Sequence, residues 1–182
     1  MSASWRQLPN VITLLRVVLI VPIAFALLRA EYLTALCLLG LAAVSDGADG
    51  FLAKHFGWQT ALGAWLDPAA DKLLLVTLFV LLAIQGGVPV PLMLLAVGRD
   101  VLLVTGAVVG RTVFGGVEIH PSLISKINTL AELALLAGLI AQAGFAWPPA
   151  WLTTMAGGMV VVTIGVSGLD YALRFAHGTA LP

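Results

Sequence analysis

Residues 45–72 read SDGADGFLAKHFGWQTALGAWLDPAADK, between LTALCLLGLAAV (33–44) and LLLVTLFVLLAI (73–84). Four aspartates, Asp46, Asp49, Asp67 and Asp71, thus stand between two runs greasy enough for a bilayer. Asp46 and Asp49 are spaced i, i+3 and Asp67 and Asp71 i, i+4, so on helices each pair shares one face. A short polar turn around His55–Thr60 joins the two segments, which must then run antiparallel. Both pairs lie nearly symmetrically about residue 58. Asp46 is therefore expected level with Asp71, and Asp49 with Asp67. At a rise of about 1.5 Å per residue the four carboxylates fall within a slab about 6 Å thick.

The rest of the chain sets the class. Of 182 residues, 60% are hydrophobic and 10% charged, against about 45–50% and about 25% in soluble domains. Such a composition excludes a disordered chain, a coiled coil and an ordinary soluble globule. Nine basic and nine acidic residues cancel, which leaves no basic surface for nucleic acid. The single cysteine, Cys37, excludes an intramolecular disulfide. Runs of about 20 apolar residues predict helices over 11–29, 33–54, 61–86, 88–110, 122–146 and 150–175. Gly86, Gly87 and Pro89, then Gly115, Gly116 and Pro121, then Pro148 and Pro149 punctuate the later segments. The expected fold is an all-α integral membrane bundle of six transmembrane helices. It forms one domain over 1–182, with its chemistry on the hairpin at about 33–86. The first segment, which holds Arg16 and Pro22 and lacks a clear small-residue cleavage site, reads as a span and not a signal peptide.

Arg6, Lys54, Arg111, Lys126 and Arg174 fall on one side of such a bundle and Arg29 on the other. The positive-inside rule then puts both termini and the 54–61 hairpin in the cytoplasm. Trp5, Trp147 and Trp151 are expected at the interfaces. Seven of the nine acids lie inside the apolar segments, where a charge is costly and usually faces a cavity or a partner. Four neighbouring carboxylates cannot all ionise unaided, and Lys54 and Lys72 cannot balance them. Either several are protonated, as in a cation or proton transporter, or cations sit among them. All-oxygen donors without Cys or His favour hard ions such as Mg²⁺ or Mn²⁺, and two such ions suit phosphoryl chemistry.

The run Asp46-x2-Asp49-Gly50-x2-Ala53-Lys54-x8-Gly63-x3-Asp67-x3-Asp71 resembles the signature D-x2-D-G-x2-A-R-x8-G-x3-D-x3-D of the CDP-alcohol phosphatidyltransferases, with seven of eight fixed positions matched. The departure is Lys54, which keeps the positive charge of the family's arginine but not its bidentate fork. Asn10, Thr13 and Arg16 resemble the N-x2-T-x2-R start of the first helix in many members. The stretches 87–103 and 121–129 are most similar to CDP-diacylglycerol-using cardiolipin synthases, with a related pattern in phosphatidylglycerophosphate synthases.

The resemblance implies a six-helix membrane fold that usually dimerises, with membrane lipids and its own copy as partners. It implies that Asp46, Asp49, Asp67 and Asp71 border two divalent cations, with Asp71 also the general base. Thr13, Asp49, Gly50, Ala53, Lys54 and Gly63 would receive the nucleotide of CDP-diacylglycerol. Arg99 and Lys126 are candidates for a pocket holding a phosphate-bearing alcohol acceptor. Phosphatidylglycerol is the leading acceptor and glycerol 3-phosphate the alternative. The expected location is a bacterial inner membrane. Simpler roles stand beside these: charge compensation for Arg99 with Asp100, an interfacial anchor for Lys126, an anchor or an acid's partner for Arg16, and structural pairing for Glu132 and Asp170. A non-catalytic membrane subunit is a further alternative, which the complete aspartate set weighs against.

Overall fold

The computed structural model describes residues 8–56, 61–113 and 123–176, with side chains at 13–46, 69–106 and 125–169. Among the described residues there are six helices and no strands: α1 (Leu8–Leu28), α2 (Tyr32–Phe56), α3 (Ala61–Ile84), α4 (Val90–Val113), α5 (Leu123–Phe145) and α6 (Ala150–Ala176). The helices start and stop within three residues of the expected bounds. The α2–α3 turn at 57–60 and the glycines and proline between α4 and α5 lie outside the described residues.

The first three helices pack together through α1 against α2 and α3. α5 lies against α2, α3 and α6, and α4 against α3 and α6. Within this arrangement each helix is two-faced in an unusual sense. On α1, Arg16, Leu19, Ile20, Ile23 and Leu27 are buried, while Leu14, Val18, Val21, Phe25 and Leu28 are exposed at the spacing of one helical face. On α6, Val160, Ile164 and Ser167 are buried, while Met155, Met159, Val162, Val166 and Leu169 are exposed. Large apolar side chains therefore cover the outside, while Thr13, Arg16, Arg99, Asp100, Asn128 and Glu132 are enclosed. A water-soluble protein does not expose apolar surface on this scale, and this pattern suits a hydrocarbon solvent. Among the described residues, Ser125–Phe145 and Ala150–Leu169 are long and apolar enough to cross a membrane, with shorter apolar stretches at Thr13–Leu28 and Tyr32–Asp46.

Hydrocarbon offers no partner for a loose backbone group, and the helix ends show how the chain responds. At the end of α1, Ala30 N–H donates to the Leu27 carbonyl and Glu31 N–H to the Ala26 carbonyl (3.0 and 2.8 Å). This paired closure needs a left-handed residue, and Ala30 supplies it at φ 57°. Gly86 plays the same part after α3 at φ 75°, where Gly87 N–H reaches the Leu82 carbonyl. Gln85 Nε2 then donates to the Leu27 carbonyl at 2.7 Å, tying the ends of α1 and α3 together. Trp147 and Trp151, both exposed, flank the start of α6.

One close approach depends on a missing side chain. A Cβ on Gly144 of α5 would meet Tyr32 Cβ of α2 at 2.7 Å. A Cβ on Gly157 of α6 would touch Leu92 of α4 at 3.5 Å, an ordinary contact. Gly144→Ala is expected to lower stability by about 1–3 kcal/mol through overpacking. Ala30→Gly is expected to raise it by about 1 kcal/mol, because a non-glycine residue in the left-handed region carries a penalty. Thermal melts of the two variants in detergent check both signs.

Candidate active site in the polar interior

The helix faces decide which polar side chains can meet. On α2, Asp46 continues the buried stripe of Ala35, Leu39 and Ala42. On α3, Asp71 continues the stripe of Leu75, Leu78 and Leu82. Both aspartates thus sit on faces that turn toward neighbouring helices. Asp46 lies at the rim, with a side chain 56% exposed, and accepts an ion pair from the buried Arg16 Nη2 of α1 at 2.5 Å. Asp71 is half-buried and lies within electrostatic reach of Asp46, Arg16, Lys72 and Asp100. The two aspartates at the expected common level are therefore neighbours in charge. Thr13, one turn before Arg16, is buried on the same face of α1.

Asp49 and Asp67 belong to α2 and α3, but their side chains lie outside the described residues, as do those of Ala53 and Lys54 and the surroundings of Gly50 and Gly63. Among the described residues no group of three or more His, Cys, Asp or Glu side chains is placed to hold a metal. The described part of the expected set is Asp46 and Asp71. Its donor chemistry, carboxylate oxygen with no sulfur or imidazole, fits a hard divalent cation.

A second polar group lies deeper and joins the other helices. Asp100 of α4 is buried, and its Oδ1 accepts from Lys72 Nζ of α3 and from Arg99 Nη1, each at 2.8 Å. Lys72 also donates to Thr129 Oγ1 of α5 at 3.3 Å. Arg99 Nη2 donates to Ser125 Oγ of α5 at 2.8 Å and to Ser167 Oγ of α6 at 3.3 Å. Beside this group, Thr163 Oγ1 of α6 donates to Asn128 Oδ1, and Asn128 Nδ2 donates to Glu132 Oε1, both at 2.6 Å. Glu132 lies within electrostatic reach of Asp100, Lys72 and Arg99. The charged interior is thus one neighbourhood, running from Arg16 and Asp46 at the rim through Asp71 to Lys72, Asp100 and Arg99.

Four sequence expectations meet the structure here. Arg16 is an acid's partner. Lys72, expected not to balance the aspartates, pairs with Asp100 while staying within electrostatic reach of Asp71. The charge compensation expected of Arg99 and Asp100 is present. The expected acceptor pair differ in burial, Arg99 being enclosed and Lys126 exposed. Ser125, Asn128, Thr129 and Glu132 share the inward face of α5, while Lys126, one residue from Ser125, is exposed. Ser125 is the side chain of that segment that meets Arg99. The Lys72–Asp100 and Asn128–Thr163 pairs were absent from the sequence reading. The i, i+4 spacing of Asn128 and Glu132 was a legible sign of their own hydrogen bond; nothing local announced either pair between helices.

Asp100→Asn is expected to destabilise the bundle by about 3–5 kcal/mol, because it leaves the buried Arg99 and the half-buried Lys72 without their shared carboxylate. Asp46→Asn, with its side chain at the rim, is expected to cost clearly less. Denaturation of the two purified variants in mixed detergent micelles gives the comparison.

A family model for CDP-alcohol phosphatidyltransferases matches residues 6–166 of the chain. The chain is 32% identical over 154 residues to a cardiolipin synthase (CMP-forming) of Rattus norvegicus, covering 76% of this chain and 51% of the relative. It is 30% identical over 187 residues to a chloroplastic CDP-diacylglycerol–glycerol-3-phosphate 3-phosphatidyltransferase of Oryza sativa subsp. japonica, covering 93% of this chain and 57% of that protein. It is 28% identical to a probable phosphatidylglycerophosphate synthase of Mycobacterium tuberculosis (strain CDC 1551 / Oshkosh), covering 94% and 83%. The chain thus spans about half the length of the first two of these relatives.

Proposed function

The chain belongs to the CDP-alcohol phosphatidyltransferase family, and on that premise we propose that it transfers a phosphatidyl group from CDP-diacylglycerol to a phosphate-bearing alcohol, releasing CMP. The observation that carries this reading is that Asp71 of α3 lies within electrostatic reach of Asp46 of α2, the two standing at the last and first positions of the matched signature. Relatives named for phosphatidylglycerol-using and for glycerol-3-phosphate-using reactions both align, so either acceptor fits the family reading.

Asp46, Asp49, Asp67 and Asp71 would hold two divalent cations, Mg²⁺ or Mn²⁺. Bound there, the cations would neutralise the diphosphate and stabilise the charge of departing CMP. The chain's own residues do the rest. Asp71 takes the proton of the acceptor hydroxyl. That oxygen forms a bond to the lipid-side phosphorus, the bond to the CMP oxygen breaks, and the electron pair leaves with CMP. Thr13, Gly50, Ala53 and Gly63 line the slot for the nucleotide, with Lys54 as a point charge beside it. Arg16, held against Asp46, fixes the rim of the site where the diphosphate arrives. Arg99 supplies guanidinium donors for the acceptor phosphate, and Lys126 a cation at the surface of α5.

The same reading assigns the six helices, 21 to 27 residues long, to six spans, since about 20 residues cross a bilayer. The basic residues at the termini and the α2–α3 and α4–α5 connections then face the cytoplasm of a bacterial inner membrane, where the nucleotide enters. A homodimer is the proposed assembly.

Labelled CMP release from CDP-diacylglycerol in detergent micelles tests the reading. Asp71→Asn is expected to lower kcat by about 10²–10⁴-fold, the usual contribution of a positioned base. Chelation of divalent ions should abolish release, and added Mn²⁺ restore it. Metal-independent ion flux in liposomes with no CMP formed would instead support the transporter.

A further inference from the structure

A groove of about 340 Å³ lies between α1 and α2, at the end of the bundle away from the Arg16–Asp46 pair. Val21 and Phe25 of α1 and Leu38 of α2 form its apolar walls, and the first two are exposed on the greasy outside of the bundle. Arg29, Glu31 and Thr34 line it as well, all three exposed. Arg29 and Glu31 stand between the apolar stretches Thr13–Leu28 and Tyr32–Asp46, at the level where a span meets lipid headgroups. The turn that carries them is held firmly. Arg29 N–H donates to the Phe25 carbonyl, Glu31 N–H to the Ala26 carbonyl and Ala35 N–H to the Glu31 carbonyl, at 3.1, 2.8 and 3.0 Å. Gln85 of α3 braces the same turn through the Leu27 carbonyl. Opposite charges two residues apart on such a turn have every occasion to pair. They do not: among the described residues neither the Arg29 guanidinium nor the Glu31 carboxylate has an ion pair or a side-chain hydrogen bond. Both line the groove instead.

We propose that this groove binds a zwitterionic phospholipid with a primary ammonium headgroup. An acyl chain lies against Val21, Phe25 and Leu38, the phosphate meets Arg29 and the Thr34 hydroxyl, and the ammonium meets Glu31. The charge pattern selects the class. A guanidinium suits a phosphate, and a carboxylate, which only accepts hydrogen bonds, needs a cation that can donate one. A trimethylammonium headgroup has no N–H to give. An anionic headgroup brings no cation and sets its phosphate beside an unanswered carboxylate. Arg29 lies 13 residues beyond Arg16, about 20 Å along a helix, so this lipid is neither donor nor acceptor in the transfer reaction, and its binding does not depend on that reading. In the orientation proposed above it occupies the leaflet away from the cytoplasm. There it joins α1 to α2, the two helices that carry Arg16 and Asp46, and stabilises the folded chain by binding it.

The full chain in detergent micelles is offered phosphatidylethanolamine, phosphatidylcholine and phosphatidylglycerol. Native mass spectrometry reads retained lipid and oligomeric state, and thermal melts read stabilisation. The wild type should retain phosphatidylethanolamine about tenfold over phosphatidylcholine and melt higher with it. Glu31→Gln should bring phosphatidylethanolamine down to the level of phosphatidylcholine without lowering phosphatidylglycerol. Arg29→Gln should weaken both zwitterionic lipids about tenfold, since both lose their phosphate contact. Glu31→Lys makes the groove doubly basic and should turn its preference to phosphatidylglycerol. Equal retention of phosphatidylethanolamine and phosphatidylcholine by the wild type would overturn the proposal, as would a preference that survives in both Glu31 variants. A Glu31 or Arg29 variant that falls from dimer to monomer with phosphatidylethanolamine still retained would overturn it too, and would make the groove a contact between copies.

Discussion

Asp100 Oδ1 receives both Lys72 and Arg99 at 2.8 Å, and much of the bundle depends on that convergence. In a chain with an apolar exterior, a charged side chain cannot escape to the outside; it must find its partner within. Asp100 draws Lys72 from α3, and Arg99 reaches Ser125 on α5 and Ser167 on α6. Four helices are thereby held through polar atoms, while the apolar contacts between them are non-directional. Hydrophobic burial cannot choose among rotations of a greasy helix in a greasy solvent as sharply as this network does.

The same constraint places the chemistry. Arg16 and Asp46 pair at the rim, where Asp46 keeps half of its surface open, and Asp71 sits between that pair and the deeper network. A site built this way has one polar end toward water and one toward the interior of the bundle. A groove lined by leucines and glycines opens beside Arg99 between α4 and α6.

Much of this was legible in the residues. Long apolar runs and their Gly and Pro punctuation gave helix bounds accurate to within a few residues, because helix length in hydrocarbon is fixed by backbone satisfaction more than by neighbours. The antiparallel symmetry about residue 58 anticipated that Asp46 and Asp71 would share a neighbourhood. The turn of Lys72 toward Asp100 was not legible. It depends on how α3 crosses α4, and no local spacing encodes a crossing between segments 28 residues apart. The separation of Lys126 from Arg99 was half legible: one step along a helix turns a side chain by about 100°, and Ser125 already held the inward place.

The central claim is that the aspartates of α2 and α3 form a binding site for divalent cations at the polar end of this interior. Anomalous diffraction from crystals grown with Mn²⁺ tests it most directly. The account predicts two peaks between α2 and α3, bounded by Asp46 and Asp71 and lost together in Asp71→Asn. No anomalous density between those helices, or a single ion bound elsewhere in the bundle, would contradict it.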